Sequence, residues 1–357
     1  MTAWVKGQAT DPDAALAAAA DLLRGARAPV VAGLAADVAA VQAAFRLARV
    51  LGASLDPAAS DDLYADLGAL AAAGTMATTP AEAVARADLV LVVGDRAAEA
   101  PLLADLAASG PSRGRAAGAG RSILSLASGQ GADFASGAAG LPAAIGLLRA
   151  LVAGRIGAAA PLADLAARLR GAHYAVLLYD PGEVGALGSE MLSGLAKDLN
   201  EATRAFALPV AGADQGRAVT QVAAWTTAQG PRVGFGRARP EHDPWRFDAA
   251  RQARSGEIDA ALWLAALPAP RPAWTAAVPT VALLGAPRGD EAEIVLAVGV
   301  PGQSHGGALW HPRRAAIAWH PAAAPGPAPS AAAVIGALHD RLAPAPPPVT
   351  LERSASC

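Results

Sequence analysis

Ala87-Asp88-Leu89-Val90-Leu91-Val92-Val93-Gly94-Asp95 is the stretch from which the fold is read. Its five central residues are apolar without alternation. A strand is built that way when both of its faces are covered, as in a parallel sheet with helices on either side. Outward from it the rhythm repeats. Upstream, residues 29–33 (PVVAG) read as a short buried strand, followed by a helix from about 37 to 50 that stops at Gly52. Downstream come a helix over about 97–108, the breaker Ser109-Gly110-Pro111, an Arg/Gly loop to Gly120, a strand at 122–126 and a helix at 143–152. Beyond Gly171 the pattern predicts strands at 173–179, 260–266, 280–284 and 293–298. Helices are expected at 189–204 and 331–342, before the prolines of 344–348. No internal repeat is visible. Strands alternating with helices imply an α/β fold of doubly wound, mostly parallel sheets.

The chain has 357 residues, of which 53% are hydrophobic, enough for two cores or for one large domain with an insertion. No stretch approaches the roughly 20 uninterrupted apolar residues of a membrane helix. The start, MTAWVKGQATDPDAALAAAA, lacks the basic opening of a signal peptide, so a soluble, cytoplasmic chain is expected. A formal charge of −2 argues against a nucleic-acid binder. Lysine occurs only at Lys6 and Lys197, so the basic residues are nearly all Arg. The single cysteine, Cys357, supports neither an internal disulfide nor an iron–sulfur or zinc-thiolate site.

Phosphate-binding motifs are scarce. Neither lysine follows a glycine, so there is no Walker A, and Gly234-Phe235-Gly236 lacks the third glycine of a dinucleotide fingerprint. Gly302-Gln303-Ser304-His305-Gly306 matches G-x-S-x-G, yet Gly307 and Pro312 oppose the helix that must follow a nucleophile elbow. No acid lies between Ser304 and His339, so the segment reads as a loop. The six histidines form neither H-x-H nor H-E-x-x-H. Residues 231–247, PRVGFGRARPEHDPWRF, are different: Arg232, Arg237, Arg239 and Arg246 stand with three aromatics in a chain only 4% aromatic. Two readings stay open. Arginine forks there hold a ligand's carboxylates or phosphates with Trp245 as a stacking surface, or the loop is a rigid plug whose arginines hold Asp243, Asp248 or backbone carbonyls.

This segment and its neighbours resemble the B subunit of the formylmethanofuran dehydrogenases, molybdenum or tungsten pterin enzymes of the formate-dehydrogenase superfamily. The family pattern N/D-Q-V-x-x-W-x-T-G-x-P-x-x-V-x-F-x-R-G-x-P-x-x-x-P meets QVAAWTTAQGPRVGFGRARP at 221–240, with Pro244 beyond. RADLVLVVG at 86–94 is similar to the family's "RADVIVxxG", GASLD at 52–56 to its "GA-x-x-D", and GEIDAAL at 256–262 to its "GEVDAAL". EAEIVL at 291–296 stands where the family has "ADVVIP". The resemblance runs in order over about residues 28–342.

Departures from that family shape the expectation. The family's metal-ligating cysteine follows the "GA-x-x-D" block in an S-x-C-H-G-P segment, whereas this chain reads PAASDDLY at 57–64. Its N-terminal cysteine cluster and C-terminal pterin-binding barrel have no counterpart either. Shortened and without those cysteines, the chain resembles the B subunit of the bacterial formyltransferase/hydrolase complex of methylotrophs. The resemblance implies a non-catalytic scaffold that binds no cofactor itself, with subunits A, C and D as partners. That complex moves a formyl group from tetrahydromethanopterin to methylofuran in its D subunit and hydrolyses it to formate in its A subunit. Within the scaffold, Arg232, Arg237, Arg239 and Arg246 are the expected contacts to carrier or partner. By analogy with the middle of those enzymes, two Rossmann-like domains are expected: residues 20–75 plus 171–343 form a discontinuous α/β domain, 76–170 an inserted one, and 344–357 a proline-rich tail. The competing expectations are an active molybdopterin oxidoreductase with Ser60 or Asp61 as metal ligand, and a stand-alone α/β small-molecule binding protein.

Overall fold

The computed structural model describes residues 1–129, 131–157, 161–210 and 215–343. The chain divides into two compact units, each visited more than once. One comprises residues 1–56, 222–305 and 322 onward; the other comprises 57–221 and 306–321.

The second unit contains the decisive strand, Leu89–Val93. Leu89, Leu91 and Val93 enter one hydrophobic core, while Val90 and Val92 enter another on the opposite face of the sheet. The strand is therefore apolar at every position because each residue has a core to enter. The sheet runs Phe134–Ala135, Ser122–Ala127, Leu89–Val93, Ala175–Tyr179, Ala205–Pro209, and every pairing is parallel. The chain winds outward from Leu89–Val93 to one edge, then crosses back to Ala175–Tyr179 on the other side. The direction of winding thus reverses between Leu89–Val93 and Ala175–Tyr179. An antiparallel hairpin, Gly307–His311 with Ala316–His320, completes this unit.

The first unit carries a sheet in the order Glu241–His242, Val233–Gly234, Ser54–Pro57, Pro29–Ala35, Ala260–Ala265, Thr280–Leu284, Ile294–Ala297, Ala3–Val5, Gln8–Thr10. From Pro29–Ala35 to Ile294–Ala297 the pairing is parallel; the outermost strands at both edges pair antiparallel. All seven residues of Pro29–Ala35 are buried. Helix Val38–Leu51 starts where the Asp37 carboxylate accepts from Ala40 N (3.4 Å) and ends at Gly52 in the left-handed region, φ 63°. Helix Ala331–Leu342 starts at Ser330, whose hydroxyl accepts from Ala333 N.

Several sequence expectations are corrected. The expected helix 189–204 is the helix Pro181–Leu199, and the strand Ala205–Pro209 follows it. The Asp180-Pro181 pair opens the segment, with the Asp180 carboxylate accepting from Glu183 N, and non-helical Gly185 (φ 70°) kinks it, so the longer helical run begins after Gly185. The expected helix 97–108 is a short 3-10 turn, Arg96–Glu99, and then helix Leu102–Ala108, separated at Ala100-Pro101. The boundaries drawn at 75 and 171 are displaced. Residues 57–75 and 171–221 group with the segment expected as an insertion, because Ala175–Tyr179 pairs directly with Leu89–Val93. The tail at 344–357 lies outside the described residues.

Candidate functional site

The arginine loop belongs to the first unit, at the edge of its sheet. Val233 pairs with Leu55 and Gly234 with Ser54, which carries Arg232 inward beside Asp56. Arg232 is buried, its side chain 6% exposed. Its Nε donates to Asp56 Oδ1 (3.0 Å), one terminal nitrogen donates to the Pro244 carbonyl (2.7 Å), and that nitrogen lies 3.4 Å from Asp248 Oδ2. Asp56 also accepts from Ala249 N at 2.8 Å, and His242 Nδ1 donates to the Arg232 carbonyl at 2.8 Å. Phe247 closes over Gly234, where even a Cβ would meet the ring at 2.2 Å. Two stretches nearly two hundred residues apart in sequence are thereby locked together.

The other three arginines lie at the surface. Arg237, Arg239 and Arg246 are 64%, 73% and 50% exposed, and all face Glu241, at 3.3, 3.5 and 3.7 Å. Trp245, 71% exposed, has the Arg251 guanidinium over its ring at 4.2 Å. Of the four arginines expected at a contact, then, Arg232 holds the loop and the other three present it. Chemically, three exposed guanidiniums sharing one carboxylate have donor capacity that could pair with an anion.

The second unit holds a cavity of about 540 Å³. Its rim includes Arg96 and Glu99, which follow Leu89–Val93, with Tyr179, Asp180, Pro209 and Val210 at the ends of the next two strands. That is the carboxyl side of the sheet, next to the point where the winding reverses and where open α/β sheets bind ligands. Asp66 accepts from the Tyr179 hydroxyl (2.9 Å) and from Arg217 (2.7 Å), while Leu67, Leu70, Leu178 and Leu208 supply apolar wall. Burial first, and then the Asp66 charge, push the Tyr179 phenol far above its ordinary range, so it stays a proton donor. Arg96 is paired with Asp180 and Asp62, and Arg313 with Asp105. The charges around this cavity compensate one another.

Sequence reasoning missed Asp66, Tyr179 and Arg217. The available signal was topological: a polar residue closing a parallel strand beside the reversal point, as Tyr179-Asp180 does after Ala175–Leu178.

The remaining motifs resolve simply. Ser304 Oγ donates to the Val300 carbonyl (3.1 Å), and Gly307–His311 is a strand, so no nucleophile elbow is built around 302–306. His311 and His320 stack with centroids 6.0 Å apart. Among the described residues, no three of His, Cys, Asp and Glu are grouped to hold a metal ion. No described helix is long and apolar enough to cross a membrane.

Asp37 supplies a pH test. It is buried at the carboxyl end of Pro29–Ala35, and desolvation raises its pKa, opposed by the Ala40 N–H and the His305 charge. A raised folded-state pKa means the folded chain binds this proton more tightly, so stability falls as pH rises through that value. Asp37→Asn keeps the capping oxygen. Its urea midpoint should exceed that of the parent at pH 8, with the gain shrinking as pH is lowered.

The fold and its site define a two-unit α/β protein with a buried arginine anchor and one cysteine in the whole sequence, Cys357. No protein-family profile matches the chain. It is 54% identical, over 100% of both chains, to the B subunit of the formyltransferase/hydrolase complex Fhc of Methylorubrum extorquens. The X-ray crystal structure of the formyltransferase/hydrolase complex (FhcABCD) from Methylorubrum extorquens in complex with methylofuran contains a chain that superposes with a TM-score of 0.91. That chain is 56% identical, and the match covers 95% of this chain and 98% of that one. The chain belongs to the family of formyltransferase/hydrolase complex B subunits.

Proposed function

We propose that this chain is the non-catalytic, structural subunit of a cytoplasmic formyltransferase/hydrolase complex built with subunits A, C and D. The complex carries formyl groups from formyl-tetrahydromethanopterin through methylofuran to formate, in one-carbon metabolism. This chain contributes architecture to it, not a reacting group. The observation that carries the reading is the 54% identity, over the whole of both chains, to the B subunit of such a complex. The sequence supports the structural role: PAASDDLY stands at 57–64, where the dehydrogenases that the chain resembles carry a metal-ligating cysteine.

Co-expression of this chain, tagged, with subunits A, C and D tests it. The four are expected to copurify in fixed ratio, with formyl transfer and hydrolysis lost when this chain is left out. Elemental analysis of the purified complex should find no molybdenum or tungsten at the level of this chain. A tagged chain that elutes alone, or one carrying stoichiometric molybdenum or tungsten with a pterin, overturns the reading.

A further inference from the structure

Three guanidiniums in the arginine loop face a single carboxylate. Arg237, Arg239 and Arg246 stand 3.3 to 3.7 Å from Glu241, longer than the roughly 2.7–2.9 Å of a strong charged hydrogen bond. Asp243 and Glu257 are the other carboxylates near Arg246; Asp243 Oδ1 is occupied by the N–H groups of Trp245 and Arg246, and both oxygens of Glu257 by Arg251. With Asp243, Glu257 and its partner Arg251 counted, four cations stand with three carboxylates. Much of the donor capacity of three guanidinium forks therefore faces solvent.

Beside them, Trp245 is held ready. Its backbone N–H donates to Asp243 Oδ1 at 3.0 Å, and its backbone carbonyl accepts from Arg251 Nε at 2.9 Å. The Arg251 guanidinium lies over one face of the ring and forks to both oxygens of Glu257. The indole is nonetheless 71% exposed. Beneath this surface the buried Arg232 network fixes the backbone, so docking there would order little that is not already ordered. An exposed Trp among arginines, on a rigid base, has the composition of a binding hot spot.

We propose that Arg237, Arg239, Arg246 and Trp245 form a docking surface for a carboxylate-rich segment of a companion protein chain. Aspartates or glutamates of that segment pair with the guanidiniums, and an apolar side chain beside them covers the Trp245 ring. This inference rests on the reading of the chain as part of a hetero-oligomeric complex.

The test uses the co-expressed complex. Arg237→Glu with Arg239→Glu, and separately Trp245→Ala, are compared with the parent for dissociation of this chain, by mass photometry over a dilution series at low and high salt. The double reversal should weaken retention of this chain about tenfold or more, with the largest deficit at low salt. Trp245→Ala should weaken it by about tenfold at either salt. All four side chains are surface-exposed, so melting temperatures should stay near the parental value. Arg239→Gln, which adds no repulsion, should show a smaller loss of the same sign. Retention within about twofold of the parent for both main variants overturns the inference while leaving the proposed place in the complex intact. Intact assembly with weakened methylofuran binding also overturns it, and assigns the arginines to the carrier. If the parent itself fails to assemble, both readings fall together.

Discussion

Arg232→Ala should destabilise the unit containing the arginine loop by about 3–5 kcal/mol, the usual cost of removing one partner from a buried ion pair. The size follows from what is left behind. Asp56, only 7% exposed, keeps its hydrogen bond from Ala249 N but loses the guanidinium 3.0 Å away. The Pro244 carbonyl loses its donor, and Asp248 loses the cation 3.4 Å from it. At about 2–4 °C per kcal/mol for a unit of this size, the melting point should fall by roughly 6–20 °C in calorimetry. Replacing both partners, Arg232→Met with Asp56→Asn, should recover a large part of the loss, since the most deeply buried charge is then gone and only the more accessible Asp248 keeps one. A single Arg232→Ala variant that melts like the parent overturns the account of the loop as an anchor. The substitution is expected to leave the surface charge of Arg237, Arg239 and Arg246 in place, so its effect on assembly should follow stability and not salt.

Arg232 also shows where sequence reading reached its limit. The crowding of arginines and aromatics at 231–247 marked the segment, and both a ligand-holding and a structural reading fitted it. The choice depended on Asp56, 176 residues earlier in the chain. No local pattern states which of four arginines points inward. Leu89–Val93, by contrast, was legible because burial on both faces leaves its signature within five residues. Ala205–Pro209 was not, because AFALP after an alanine-bearing helix fits a helix end as readily as a strand. Its pairing with Ala175–Tyr179 settles the matter through contacts distant in sequence. The Asp66, Tyr179 and Arg217 cluster escaped for the same reason, its members coming from three separate elements.

Gly33→Ala should cost about 3 kcal/mol or more, for two reasons that act together: a left-handed backbone costs an alanine about 1–2 kcal/mol, and overpacking a core about 1–3. Gly33 has φ +88°, and a Cβ there would lie 2.6 Å from the Leu264 carbonyl oxygen, with the Trp263 ring at 3.1 Å. The obstruction is backbone within the central parallel pair, so a rotamer change cannot relieve it. At this point Ala32 pairs with Trp263 and Ala35 with Ala265, and the register slips between them. Leu34 follows with φ +60°, so two successive left-handed residues form the bulge that turns the chain toward the Asp37 cap. Gly7→Ala is the control. Gly7 has φ +74° and nothing within 4 Å of a would-be Cβ, so it should show the conformational part alone, about 1–2 kcal/mol. The excess of Gly33→Ala over Gly7→Ala, read from urea midpoints at equal slope, measures the crowding at the bulge. Equal losses at the two positions would mean that the strand pair yields at Leu264, and that the bulge is not the rigid feature this geometry describes.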